Sequence, residues 1–79
     1  MEFVVNFKWY DDDKIWLATS TNDKFALTVN HVSFDALVER VKFILIDMVE
    51  NTLGYKGEFK MKIKVQRTIS MTTEDFLGE

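Results

Sequence analysis

The sequence predicts an α+β fold of order βββαβ: a four-stranded, mostly antiparallel sheet with one helix on one face. Three observations predict it. Residues 2–10, 14–20, 25–29 and 58–66 are rich in strand formers; the first has one strongly apolar face, and the last alternates cleanly between apolar and polar side chains. Residues 34–52 place apolar side chains at helical spacing behind a capping serine. The chain has no proline and its three glycines fall at 54, 57 and 78, so its first half must turn on Asp, Asn, Ser and Thr.

In the first strand, "EFVVNFKWY", Phe3, Val5, Phe7 and Trp9 take one side, and Val4, Asn6, Lys8 and Tyr10 take the other. The second, "KIWLATS", sets Trp16 and Ala18 on one face and Ile15, Leu17 and Thr19 on the other. Its pattern does not assign the face that meets the helix, because a one-residue slip exchanges them. With Ile15 and Leu17 inward, Trp16 joins Val4 and Tyr10 in an aromatic contact surface on the open face. In the opposite register Trp16 is core. "TNDK" has turn chemistry and leads to the third strand, "FALTV", so the three form consecutive antiparallel hairpins.

Ser33 opens the helix, where its hydroxyl can accept from the free first-turn amides. Val32 and Leu37 are spaced for a hydrophobic staple, and Asp35 suits the positive end of the helix dipole. Phe34, Leu37, Val38, Val41, Ile44, Leu45, Met48 and Thr52 form one stripe, with Gly54 placed as the C-terminal cap. "EFKMKIKVQ" then turns Phe59, Met61, Ile63 and Val65 one way and Lys60, Lys62, Lys64 and Gln66 the other, in a strand that can run on through Ile69 and Met71. A single domain over 1–71 follows, with an acidic tail, "TTEDFLGE", expected to fray. The helix is a crossover that covers one sheet face and leaves the other to water or a partner.

At 79 residues the chain suffices for one domain. A domain of this size buries only roughly 60% of its unfolded surface and is marginally stable. It has no cysteine, and a single histidine, His31, cannot build a structural zinc site. Association with a partner or a second copy is the remaining aid. Thirteen acids against ten bases give a net charge of −3, which disfavours direct nucleic-acid binding and suits a basic protein partner. "MEFVVNFK" lacks the basic segment of a secretory signal, and the run "FILI" at 43–46 is far too short to span a membrane. A cytoplasmic location is expected.

Asp11, Asp12 and Asp13 stand consecutively in "WYDDDKIW". Calcium sites need several oxygens converging on one point, whereas consecutive side chains in extended backbone diverge. Acid–base pairs need carboxylates in distinct environments, and exposed neighbours in a turn share one. Two readings fit: a hairpin turn, or that turn used as an acidic knob against a basic partner. His31 has no nucleophile at triad-like spacing, and no phosphate-loop, CxxC or HExxH pattern occurs. The sequence therefore predicts no catalytic residue, no cofactor and no metal. Residues 56–67 hold five bases against one acid, but no aromatic residue interleaves on the Lys60, Lys62, Lys64 face. That row reads as edge protection, with phosphate contact as the alternative. Phe43 and Ile46 fall opposite the main helical stripe with Leu53 nearby on the wheel. They form either a patch for another chain or a surface covered by the tail or a loop.

"FKWYDDDKIWLATS" resembles the opening of short bacterial proteins related to HicB-type antitoxins, whose first hairpin carries Trp-Asp-x-x-x-x-x-Trp-x-Ala-x-Ser. Trp9, Trp16, Ala18 and Ser20 match, while Tyr10 stands where Asp is usual. "NHVSFDALVERVKFILIDMVEN" meets the family's later pattern of a polar residue, Ser/Thr, a Leu-rich helix and a closing Glu-Asn, so the likeness covers roughly residues 3–51. "NDKFA" replaces the family's usual Pro-Gly segment. The resemblance implies a partial ribonuclease-H-like fold without nuclease activity, the fourth strand beside the first, and a toxin-neutralising role. Residues 72–79 are too few to encode the DNA-binding segment that such antitoxins often carry.

The expected function is a small acidic, non-catalytic module that binds and inhibits a basic partner acting on nucleic acid. Trp16, Phe43 and Ile46 are the expected anchors, and Asp11, Asp12 and Asp13 the steering charges. A HicA-type ribonuclease is the partner that the resemblance implies. A phage-type inhibitor of a bacterial defence nuclease relies on the same physics, and a homodimeric structural or regulatory domain uses the same patch without inhibition.

Overall fold

Nine residues from Glu2 to Tyr10 form β1, followed by β2 (Ile15–Thr21), β3 (Ala26–His31), helix α1 (Phe34–Asn51) and β4 (Lys60–Gln66). This is a computed structural model, and it describes residues 1–22, 25–69 and 71–73. The strand order is β3-β2-β1-β4, with β1–β2 and β2–β3 antiparallel and β4 parallel to β1. The α+β expectation and the βββαβ order hold, with the fourth strand beside the first. Because β3 and β4 occupy opposite edges, the connection made by α1 and residues 52–59 spans the width of the sheet.

The register settles the face of Trp16. Antiparallel partners point to the same side, and β1 pairs Phe7 with Ala18 and Trp9 with Trp16. Phe3, Val5, Phe7, Trp16, Ala18 and Leu27 therefore meet the buried helix residues Leu37, Val41, Leu45 and Val49. Trp16 is only 8% exposed, with its ring centroid 4.9 Å from that of Phe34 and 5.3 Å from that of Trp9. The reading of Trp16 as a surface anchor is thereby corrected. An indole left facing water would forgo the roughly 1.5–3 kcal/mol that burying a large apolar side chain supplies. Ile15 and Leu17 lie half-buried on the far face, opposite exposed Tyr10 and Lys8.

Ser33 caps α1 as expected, its Oγ accepting from the Ala36 amide at 3.2 Å. The Val32–Leu37 staple does not form, since Val32 is exposed and Leu37 is buried. A polar contact holds the helix entry instead: the Ser33 amide donates to His31 Nδ1 at 2.9 Å. At the other end Val49, not Thr52, completes the buried stripe, and the C-cap is Thr52 rather than Gly54. Gly54 serves the reversal that follows. Its φ of +65° is open to glycine at no steric cost, and it lets the Tyr55 amide donate back to the Val49 carbonyl at 3.1 Å.

One helix is too narrow for this sheet. Four strands at about 4.8 Å spacing span about 14 Å between outer backbones, against a helix diameter near 10 Å with its side chains. α1 packs chiefly on β3 and β2, so β4 is the strand left out. Its helix-side residues lose cover along the strand: Met61 is half-buried, Ile63 is 40% exposed and Val65 is 57% exposed. The strand stops at Gln66, and Ile69 and Met71 lie exposed beyond it.

Candidate functional site

Where α1 leans away from β4, an open groove of about 820 Å³ remains. Lys42, Leu45 and Ile46 of α1 form one wall, and Phe59 and Met61 form the other. Leu45 and Ile46 reach it because they are adjacent on the helix: the first points into the core, and the second, 100° further round, meets the groove. Phe59 is anchored by an edge-on contact with Phe3, their ring centroids 5.8 Å apart. Gly57 closes one end of the groove. At φ +135° it occupies a conformation that L side chains rarely adopt, and an added Cβ would sit 3.2 Å from the Tyr55 hydroxyl. That hydroxyl donates to the Glu58 carbonyl at 2.7 Å and shapes the loop.

Two sets of exposed apolar side chains lie outside the groove's own lining except at Ile46. On the helix, Phe43 and Ile46 stand one turn apart, 69% and 48% exposed. On the sheet, Ile63 and Val65 continue the face of Met61. Periodicity places Ile63 and Val65 on one face with Phe59 and Met61 and does not tell how far they stay exposed. The signal was the width of the sheet against a single helix. The Phe43 and Ile46 pair was legible on the helical wheel.

Beyond Val65 the strand reaches the first hairpin. The Arg67 guanidinium lies 5.0 Å above the Trp9 ring, and Trp9 Nε1 donates to Asp11 Oδ1 at 3.1 Å. Lys14 Nζ also reaches Asp11 Oδ1 at 3.1 Å. These donors, with the Lys14 charge, hold the Asp11 carboxyl below the usual carboxylate range. Asp11 is thus an element of the turn. Asp12 and Asp13 are exposed and make no ion pair or hydrogen bond among the described residues. Of the three aspartates, only these two are free to meet a cation on another molecule.

Other candidates fall into place around this surface. His31 is half-buried, and its Nδ1 is taken by the Ser33 amide, which puts the proton of the neutral ring on Nε2. Among the described residues, no group of three or more His, Cys, Asp or Glu side chains could hold a metal ion. No helix among them is long and apolar enough to cross a membrane. Lys60, Lys62 and Lys64 line the far face of β4, each exposed. Residues 74–79 of the acidic tail lie outside the described residues.

No family model, no curated protein and no solved structure matches this chain.

Proposed function

We propose that the chain is a small non-catalytic protein-binding module that inhibits a partner acting on nucleic acid by covering its working surface. The observation that carries this reading is the exposure of large apolar side chains on two elements, Phe43 and Ile46 on α1 and the run of Ile63 and Val65 on β4, beside a buried core. Exposed apolar side chains on so small a domain fit a contact site, because leaving them wet forgoes about 25 cal/mol for each Å². Phe43 and Ile46 are the anchors, and the groove between Ile46 and Met61 receives a side chain of the partner. Asp12 and Asp13, near the far end of the run, steer toward a basic surface and occupy cation sites that phosphate would otherwise fill. A HicA-type ribonuclease has the required character, and a bacterial defence nuclease meets the same description.

The test is a cleavage assay. Purified chain, mixed with a HicA-type ribonuclease at micromolar concentration, is expected to co-elute with it and suppress RNA cleavage stoichiometrically. The double variant Phe43→Asp/Ile46→Asp should restore cleavage while keeping the far-ultraviolet circular dichroism of the parent. Full cleavage with no complex at these concentrations overturns the proposal.

The same exposed apolar residues support a second reading, a homodimer without inhibitory activity. Light scattering separates the two: a dimer that dissociates on Phe43→Asp favours self-association, and a monomer up to high concentration removes it.

A further inference from the structure

β4 is an edge strand with two unlike sides, and among the described residues no strand pairs with its outer margin. The Lys60 amide donates to the Met1 carbonyl at 2.9 Å, which fixes the phase of the parallel ladder. In a strand each residue directs its N–H and C=O to the same flank, and successive residues alternate. Lys60, Lys62, Lys64 and Gln66 therefore bond toward β1, and Met61, Ile63 and Val65 present their amides and carbonyls to the open margin. The residues whose backbone has no strand partner among the described residues are the ones whose side chains share the groove-side face of Met61. The lysines stand on the opposite face.

We infer that this margin takes an extended segment of a partner protein as a fifth strand, and that the segment alternates apolar and acidic residues. Backbone pairing supplies the attachment, as in other additions to an exposed sheet edge. One set of its side chains then lies beside Ile63 and Val65, and the other meets the lysine row. Around that row the same face of β1 carries Glu2 beside Lys60 and Lys8 beside Gln66, with Val4 and Asn6 between, so it is cationic over most of its length. Facing residues of opposite charge contribute roughly 0.2–1 kcal/mol per pair, and like charges directly opposite are destabilising.

The same rule argues against a second copy. Two β4 strands paired so that their groove sides coincide set lysine against lysine across the seam. An antiparallel pair centred on Ile63, for example, opposes Lys62 to Lys64. Edge lysines thus discourage self-pairing while favouring an acidic strand, so a single feature gives both protection and selectivity. Single-stranded nucleic acid is the weaker candidate, since no aromatic platform interleaves with the lysines. The inference rests on the reading of the chain as a protein-binding module but not on inhibition of any partner.

The experiment is amide hydrogen exchange by NMR on the intact chain, with and without a nine-residue peptide alternating glutamate and valine. Free protein should show fast exchange at Met61, Ile63 and Val65 beside slower exchange at Lys62, Lys64 and Gln66. Added peptide should protect the first set. A peptide with lysine in place of glutamate, and a glutamate peptide N-methylated at alternate residues, should each fail to do so. The double variant Lys62→Glu/Lys64→Glu should bind the glutamate peptide about tenfold or more weakly and accept the lysine peptide in its place. That exchange of preference is a gain that an unfolded variant cannot show. Protection of Met61, Ile63 and Val65 that rises with protein concentration alone identifies a second copy and overturns the inference. So does salt-dependent binding of an oligo-uridine strand with no response to the peptide. No protection by the glutamate peptide overturns it too. The nuclease assay reads separately, so failure of inhibition and failure of strand addition are distinguishable.

Discussion

The Ser20 hydroxyl donates to the Val4 carbonyl at 2.7 Å, joining β2 to β1 from within the core. Ser20 is the one polar residue among the buried described residues, at 4% exposure. Its burial is tolerable because its donor is satisfied. Ser20→Ala should cost about 1 kcal/mol, the net worth of such a bond. Urea denaturation reads it as a lower midpoint with an unchanged slope.

Leu37 is fully buried beneath α1. Leu37→Ala removes its methyl groups and leaves a cavity that the surrounding side chains fill only in part. The expected loss is about 3 kcal/mol. For a domain this small that is a large share of total stability, so cooperative thermal unfolding should shift down strongly or disappear from the accessible range.

Lys14 closes the first hairpin with φ of +53°, the left-handed region where a Cβ crowds the following carbonyl. Such a placement costs roughly 1–2 kcal/mol relative to glycine. Lys14→Gly should therefore raise the melting temperature, although it removes an exposed, solvent-screened ion pair to Asp11. A drop in melting temperature would show that the pair outweighs the strain.

Asp11 links the hairpin to pH. Its folded carboxyl titrates below the ordinary value of 3.8 because Trp9 and Lys14 donate to it and the Lys14 charge is close by. A depressed carboxyl contributes stability that is fully present above the unfolded value and fades as pH falls through the folded one. The difference in stability between parent and Asp11→Asn should thus be largest above pH 3.8 and shrink in more acidic solution. The Trp9 indole N–H resonance offers a direct check, since it should move with the same acidic midpoint.

The elements and their order were legible because each carries its own period and its own stop signals. Phe3, Val5 and Phe7 alternate, Leu37, Val41 and Leu45 recur at helical spacing, and Ser33 marks a start. Sites that depend on two elements at once were not legible. The face of Trp16 required the β1–β2 register, which a four-residue turn without glycine does not announce. The exposure of Ile63 and Val65 required knowing toward which edge α1 leans, a property of packing rather than of β4. Asp11 looked equivalent to its two neighbours, and only the closed hairpin, with Trp9 and Lys14 both reaching one carboxylate, separates it from them.

The pairing of Glu2 with Lys60 carries a kinetic consequence. β1, β2 and β3 can zip from neighbouring hairpins, whereas β4 reaches β1 only after almost the whole chain has been gathered, and closing so long a loop adds entropy cost before any ladder bond repays it. The final strand is therefore a late arrival in folding, and with only one neighbouring strand and a half-wet apolar side it is also the first to peel away in native-state fluctuations. Each such departure bares Phe3, Val5 and Phe7 for a moment, and any partner that clamps the outer margin of β4 acts as a latch on the entire domain.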